Sequence, residues 1–236
     1  DFAVHSLKDL PTRDPDGLCV AAIPPREDAR DALILAPALK GIKNLEDLPP
    51  QTKFGTASLR RQAQSLRLNP DLDIGLLRGN VGTRISRLTQ SNENTDAIAA
   101  TLLAMAGLKR LGLSERVDKI MPIDQMLPAP GQGAIAITYN KENFLIKKIC
   151  KKIDCAATRV SLNTERSLIK RINGDCFTPI AAFAKIKNGS VLLRARLFSK
   201  DYKNYVDDIK SGPIKSARLL GRKCAESLIK KLKTQE

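Results

Sequence analysis

The stretch KFGTASLRRQAQSLRLNPDLDIGLLRGNVGTRISRL, residues 53–88, decides the fold class. Lys53–Gly55 is short and strand-like, and Ser58–Leu68 spaces its apolar residues as a helix does. Asp73–Leu77 reads as a second strand and Val81–Leu88 as a second helix. Short strands alternating with helices predict α/β units on a mainly parallel sheet. Such sheets bind ligands at the carboxyl ends of their strands, where loops meet helix N-termini.

Reading outward toward the start, Asp1–His5 resembles a strand entered midway, and residues 17–23 (GLCVAAI) a short apolar strand ended by Pro24-Pro25. Residues 31–36 (DALILA) form the next strand, followed by a loop through Gly41 and a Leu45–Leu48 turn. In the other direction come a buried run at Ala97–Leu102 and a short helix at Ala104–Leu111. The rigid Pro128-Ala129-Pro130-Gly131-Gln132-Gly133 break precedes a strand at Ala134–Thr138. Beyond it, Ala156–Ile172 reads as an amphipathic helix. A small sheet (Ile180–Lys187, Ser190–Phe198) and a closing Lys-rich helix, Ile214–Lys233, complete the chain.

The 236 residues are 42% hydrophobic and 28% charged, an ordinary globular composition that excludes wholesale disorder. No run approaches the ~20 apolar residues of a membrane span, and residues 1–20 lack a signal-peptide layout, so a soluble chain is expected. The net charge of +15 invites a nucleic-acid reading. Its distribution argues against one: 17 Lys/Arg face 16 Asp/Glu up to Asn140, and 23 face 9 afterwards. A Lys-rich solvated surface accounts for that excess, and 9 aromatics are too few for base-stacking platforms. Five cysteines in irregular spacing, no CxxC and the single His5 argue against zinc and against a disulfide framework, and fit a reducing cytosol. With one histidine, the chemistry falls to carboxylates, arginines or a thiol.

Three segments combine glycine with arginine where loops are expected to enter helices. In Gly55–Arg61, Thr56 and Ser58 can cap a helix and donate to an anion, and Arg60 and Arg61 add guanidinium forks. Leu77–Arg84 repeats that design with Arg78 and Arg84, and Gly107–Gly112 carries Arg110. Solvated surface charge is the bland alternative for each. The pattern points to a multiply charged anion, carboxylates rather than phosphates, since no GxxxxGK[ST] occurs. Asp9, beside Lys8 and before Leu10-Pro11, is either a turn former or a carboxylate that stabilises a developing cation. Cys176 lies in a glycine-bearing loop after a helix, which sets it above the other cysteines as a reactive thiol.

AVHSLKDLPT (3–12), GTASLRRQAQ (55–64), LRGNVGTR (77–84), AGLKRLGL (106–113), LPAPGQGAIAI (127–137) and ERSLIKRINGDCFTPIAA (165–182) together resemble the porphobilinogen deaminase family. The resemblance runs in order over essentially the whole chain. It implies an α/β fold of three domains: two periplasmic-binding-protein-like domains, the first incomplete, and a small C-terminal α+β domain. Residues 1–24 and 134–151 would belong to domain one, 30–127 to domain two, and 156–236 to the cofactor-attachment domain. It implies a dipyrromethane cofactor joined by a thioether to Cys176. Asp9 would be the catalytic aspartate, with Lys8 beside it. Ser58, Arg60, Arg61, Arg78, Arg84 and Gln132 would contact the cofactor, and Arg78, Arg84 and Arg110 the substrate. No metal is implied.

The implied reaction condenses four porphobilinogens head to tail into hydroxymethylbilane, each losing ammonia to give a cation that the preceding pyrrole attacks. Each ring carries two carboxylates, which is what several arginine forks suit. The resemblance further implies a cytoplasmic monomer with a small-molecule substrate and no nucleic-acid or membrane partner. The sequence departs from the family pattern in three places. The family's first several tens of residues have no counterpart before Asp1, so the expectation is a fragment, which bears on whether it turns over alone. Asp175 stands in place of a glycine before Cys176 and would raise the thiol pKa. Ala57 replaces a common serine. Two alternatives stay open: a non-catalytic α/β anion-binding protein using the same arginines, and a nucleic-acid module using the Lys-rich end.

Overall fold

The computed structural model describes residues 1–12, 15–89, 97–172 and 178–235. It divides into two compact units, one made of Asp1–Ala29 with Pro128–Glu236 and the other of Arg30–Leu127. Among the described residues, no helix is long and apolar enough to cross a membrane.

The Arg30–Leu127 unit is a five-stranded sheet. Its strands are β3 (Asp31–Leu35), β4 (Lys53–Gly55), β5 (Asp73–Gly75), β6 (Ala100–Ala104) and β7 (Lys119–Ile120), in the order β5-β4-β6-β3-β7. Every residue of β3 is buried, because alternate side chains feed two cores. Leu33 and Leu35 join Phe54, Leu72 and Leu102 on one face, and Ala32 and Ile34 join Ile85, Leu103 and Leu108 on the other. Helices α1 (Leu59–Leu68), α2 (Val81–Thr89) and α3 (Met105–Arg110) follow β4, β5 and β6 in turn.

The expected mainly parallel sheet is corrected to a mixed one. β4 is parallel to β5 and β6, whereas β3 is antiparallel to β6 and β7. A parallel pair needs a crossover, and α1 supplies one between β4 and β5. β3 enters the unit directly from Ala29 without one.

In the other unit, β1 (Phe2–Ser6), β8 (Ile135–Asn140) and β2 (Leu18–Ala22) form an antiparallel sheet with β8 in the centre. Helix α4 (Phe144–Cys150) packs on one face through Cys150 and Ile146. Helix α5 (Ala156–Ile172) sets Leu162 against Leu7, Ile23 and Ala136 of the other. A second antiparallel sheet, ordered β11-β10-β9, consists of β9 (Ile180–Lys187), β10 (Ser190–Phe198) and β11 (Tyr205–Pro213). Leu168 of α5, Val191 and Leu193 of β10, and Cys224 and Leu228 of α6 (Ala217–Lys233) make its core. The sequence reading overlooked β11 and α4. It also began the last helix at Ile214, where a single 3-10 turn (Ile214–Ser216) precedes α6.

Candidate active site

In the Arg30–Leu127 unit, the loops after β4 and β5 leave the carboxyl ends of adjacent parallel strands. Ser58 caps α1, its Oγ accepting from the Arg61 backbone N–H at 3.4 Å. The next loop carries Arg78, which is exposed, and turns at Gly79 with φ +116°. Asn80 Oδ1 accepts from Thr83 N at 2.8 Å and caps α2, while Arg84 Nε donates to Gly79 O at 2.8 Å and fixes the loop. Both loops therefore deliver capped helix N-termini, which favour anions, beside guanidinium groups. Burial and the charge of Arg61 both lower the Arg84 pKa, so these two arginines share one electrostatic neighbourhood.

Arg60 and Arg61 are neither solvated nor open forks. Each is 5% exposed, and both converge on Asp31, which is fully buried. Arg60 Nη1 donates to Asp31 Oδ2 at 2.8 Å and to Leu127 O at 2.8 Å. Arg61 reaches Asp31 Oδ1 through Nη2 at 2.8 Å and Nε at 3.1 Å. Burial pushes the Asp31 pKa up, but the two guanidiniums outweigh it and hold the carboxyl well below the usual carboxylate range. Two cations around one anion leave this cluster positive, directly behind the cap of α1.

Arg110 departs from expectation in another way. It is the exposed last residue of α3, at a helix C-terminus rather than at a loop entering a helix. The helix starts at Met105, one residue inside the expected Ala104–Leu111, and the chain turns at Gly112 with φ +68°.

In the other unit, Lys8 and Asp9 lie exposed on a 3-10 turn, Leu7–Asp9, that follows β1. Leu7 anchors the turn, 1% exposed and donating its N–H to Ala134 O at 3.0 Å. Gly131 backs it from behind. With φ +82°, a Cβ there would stand 3.1 Å from Lys8 N. Gly133, with φ +83°, approaches Glu27 O so closely that a Cβ would stand 2.6 Å away. Between them Gln132 is fully buried and donates from Nε2 to Ala29 O at 2.8 Å. His5 pairs with Thr138 across the sheet, Nε2 to Oγ1 at 2.9 Å, as a structural histidine would. Cys176 lies outside the described residues.

Three charged residues beside these segments, two buried and one nearly so, escaped the sequence reading. Glu165, fully buried, takes Arg26 Nη1 (2.6 Å) and Ala184 N (2.8 Å) on Oε1, and Gly131 N (2.7 Å) on Oε2. Arg26 also donates from Nε to Gln132 O at 2.8 Å and lies over the Phe183 ring, 5.0 Å from its centroid. Asp31 is the third. The available signals were a charge set between Leu162 and Leu168 on the apolar stripe of α5, and an aspartate opening the apolar run 31–36.

A family model described as "Porphobilinogen deaminase, dipyromethane cofactor binding domain" matches residues 1–148, and one described as "Porphobilinogen deaminase, C-terminal domain" matches 160–230. The chain is 43% identical over 230 residues to a porphobilinogen deaminase of Geotalea uraniireducens (strain Rf4), covering 98% of this chain and 69% of that protein. It is 42% identical over 228 residues to that of Nitrobacter hamburgensis, covering 97% and 69%. With that of Pelobacter propionicus it shares 39% over 229 residues, covering 97% and 71%.

Proposed function

We propose, since this chain belongs to the porphobilinogen deaminase family, that it joins four porphobilinogen molecules head to tail into hydroxymethylbilane with release of ammonia. It is a transferase of tetrapyrrole biosynthesis, and its cofactor is dipyrromethane. The observation that carries the reading is the cationic end of the sheet in Arg30–Leu127: Arg78 and Arg84 on capped loops, with the positive Arg60–Arg61–Asp31 cluster behind Ser58. Pyrroles bearing acetate and propionate groups call for such an array.

The donor set fits the cofactor, which offers carboxylates to guanidinium, ammonium and hydroxyl groups. Cys176 would carry its thioether. Lys8, Ser58, Arg78 and Arg84 would hold its side chains, with Arg110 added for incoming substrate. When bound, the cofactor supplies the pyrrole carbon to which the first substrate ring is joined. Arg60 and Arg61, engaged by Asp31, act through their field, and Gln132 by fixing the loop behind Lys8 and Asp9. Asp9 stabilises the positive charge that develops as ammonia leaves. Its exposed place on a turn held by Leu7 and Gly131 supports that role, because a charge so held needs no reorganisation when the cation forms. In this reading residues 1–24 with 134–151 belong to domain one, 30–127 are domain two, and 156–236 carry the cofactor. The protein works in the cytoplasm as a monomer on a small-molecule substrate.

The test is intact mass together with an acid Ehrlich colour reaction on the chain purified from a haem-making host. Two pyrrole rings on Cys176 are expected, located by peptide mapping. A protein bearing no pyrrole would overturn the assignment.

A further inference from the structure

The unit formed by Asp1–Ala29 and Pro128–Glu236 contains a cavity of about 700 Å³ that the reaction above does not use. Half-buried Val20 lines its apolar floor from beside the small sheet, with the almost fully buried Leu7 and Ile23 behind it. Its walls are cationic: Arg159, Arg166, Lys170 and Arg171 come from α5, and Arg218 and Arg222 from α6. Spacings of four residues bring Arg166 with Lys170, and Arg218 with Arg222, onto shared helix faces. A smaller adjoining hollow shares Arg218 and Arg222 and adds Lys215.

Among the described residues, two of these six wall cations have a carboxylate partner, and three, Lys170, Arg218 and Arg222, have none. Glu226, the carboxylate lining the cavity, accepts from Arg171 Nε at 2.9 Å, and Arg159 pairs with Asp154 at 2.7 Å. Arg166 donates to Pro11 O at 2.6 Å. The walls therefore keep a positive potential that draws an anion in. A sugar-phosphate backbone would use the cations but has no need of the apolar floor. A cavity of this size with both features suits a drug-sized amphiphile carrying several negative groups.

We propose that this cavity binds an oligopyrrole polycarboxylate, the chemical class of the reaction product, on residues other than the loop-borne arginines of Arg30–Leu127. The pyrrole rings lie on the apolar floor and the carboxylates meet the arginines of α5 and α6. The ligand's identity rests on the reaction proposed above; the cavity and its charge do not.

Uroporphyrin I, a stable octacarboxylate, serves as the probe in a fluorescence titration of the 236-residue chain carrying its cofactor. Saturable binding is expected, weakened at least about tenfold by the double variant Arg218→Gln/Arg222→Gln, whose melting temperature should match the parent. The octamethyl ester should not bind. Undiminished binding in the double variant would overturn the inference, as would binding that is lost in Arg78→Gln but kept in the α6 pair. Tripolyphosphate competing as well as the porphyrin would overturn the carboxylate assignment. Intact mass of each sample separates the two levels. A missing pyrrole adduct would overturn the reaction and the ligand class with it, whereas an adduct present without dependence on α6 overturns only the cavity.

Discussion

Arg26 and Glu165, 139 residues apart in the chain, meet in a two-pronged ion pair with distances of 2.6 and 3.3 Å. The glutamate is fully buried and the arginine side chain 11% exposed. Removing one partner of such a pair strands the other in a medium that solvates it poorly, at a cost of about 3–5 kcal/mol. Arg26→Ala should lower the urea midpoint accordingly. A loss under about 0.5 kcal/mol would show that Gly131 N and Ala184 N satisfy Glu165 by themselves.

Asp31 gives the Arg30–Leu127 unit an acid-sensitive element. Its pKa is depressed in the fold, so its contribution is fully present above the unfolded value of about 3.9 and drains away as pH falls toward the folded one. The parent should lose stability between about pH 4 and pH 2. Asp31→Asn should start about 3 kcal/mol less stable, with two uncompensated guanidiniums, and show a flatter profile in that window. Thermal melts at pH 6 and pH 3 check both. Parallel pH profiles would sink the argument.

Gly133 and Gly17 both have positive φ, 83° and 76°, yet their surroundings differ. An added Cβ at Gly17 meets nothing within 4 Å, so Gly17→Ala should cost only about 1–2 kcal/mol of backbone strain. At Gly133 the same atom would press on the backbone oxygen of Glu27 at 2.6 Å, and Gly133→Ala should cost clearly more. Equal losses in denaturant titrations would mean that the loop yields without penalty.

Asp9→Asn keeps the shape of the turn, which is held by Leu7 and Gly131 rather than by the carboxylate. Melting should be unchanged. The rate of porphobilinogen consumption should fall by about 10²–10³, the worth of one preorganised group facing developing charge. Measured single-turnover rates near the parent's would leave Asp9 as a turn former.

The four described cysteines should separate by reactivity. Hydrogen bonds from the Thr158 hydroxyl and backbone N–H lower the Cys155 thiol pKa at the start of α5. Burial, reinforced by Asp208, pushes Cys224 up to about 12. Iodoacetamide at neutral pH should therefore label Cys155 first and reach Cys224 only on unfolding. Comparable labelling of both in the native protein would contradict this placement.

Much of the fold was readable because period and punctuation agreed. α5, β9 and β10 have the bounds their apolar spacing implies, and α1 and α2 start where Ser58 and Asn80 cap them. β11 was hidden because its pattern is inverted: Asp208 is buried, accepting from Lys231 at 3.1 Å, while Ile209 is 58% exposed. The arginine loops could be found from glycine, hydroxyl and guanidinium in order. That Arg60 and Arg61 turn inward could not, because they lie in α1 and their partner Asp31 in β3, and only the tertiary fold joins them. Arg26 was hidden likewise, in a charged run that reads as punctuation between strands.

The order in which the small sheet is completed sets a constraint on biosynthesis. β1 and β2 leave the ribosome early, but their shared central partner β8 is made only after all of Arg30–Leu127. Until then both strands present unpaired edges, the kind that template aggregation. If Arg30–Leu127 folds as soon as it emerges, it replaces a long floppy loop by a compact body whose ends are already gathered, which lowers the entropy of joining β2 to β8. Substitutions that slow the folding of that unit should therefore reduce the yield of soluble protein through strands that lie outside it.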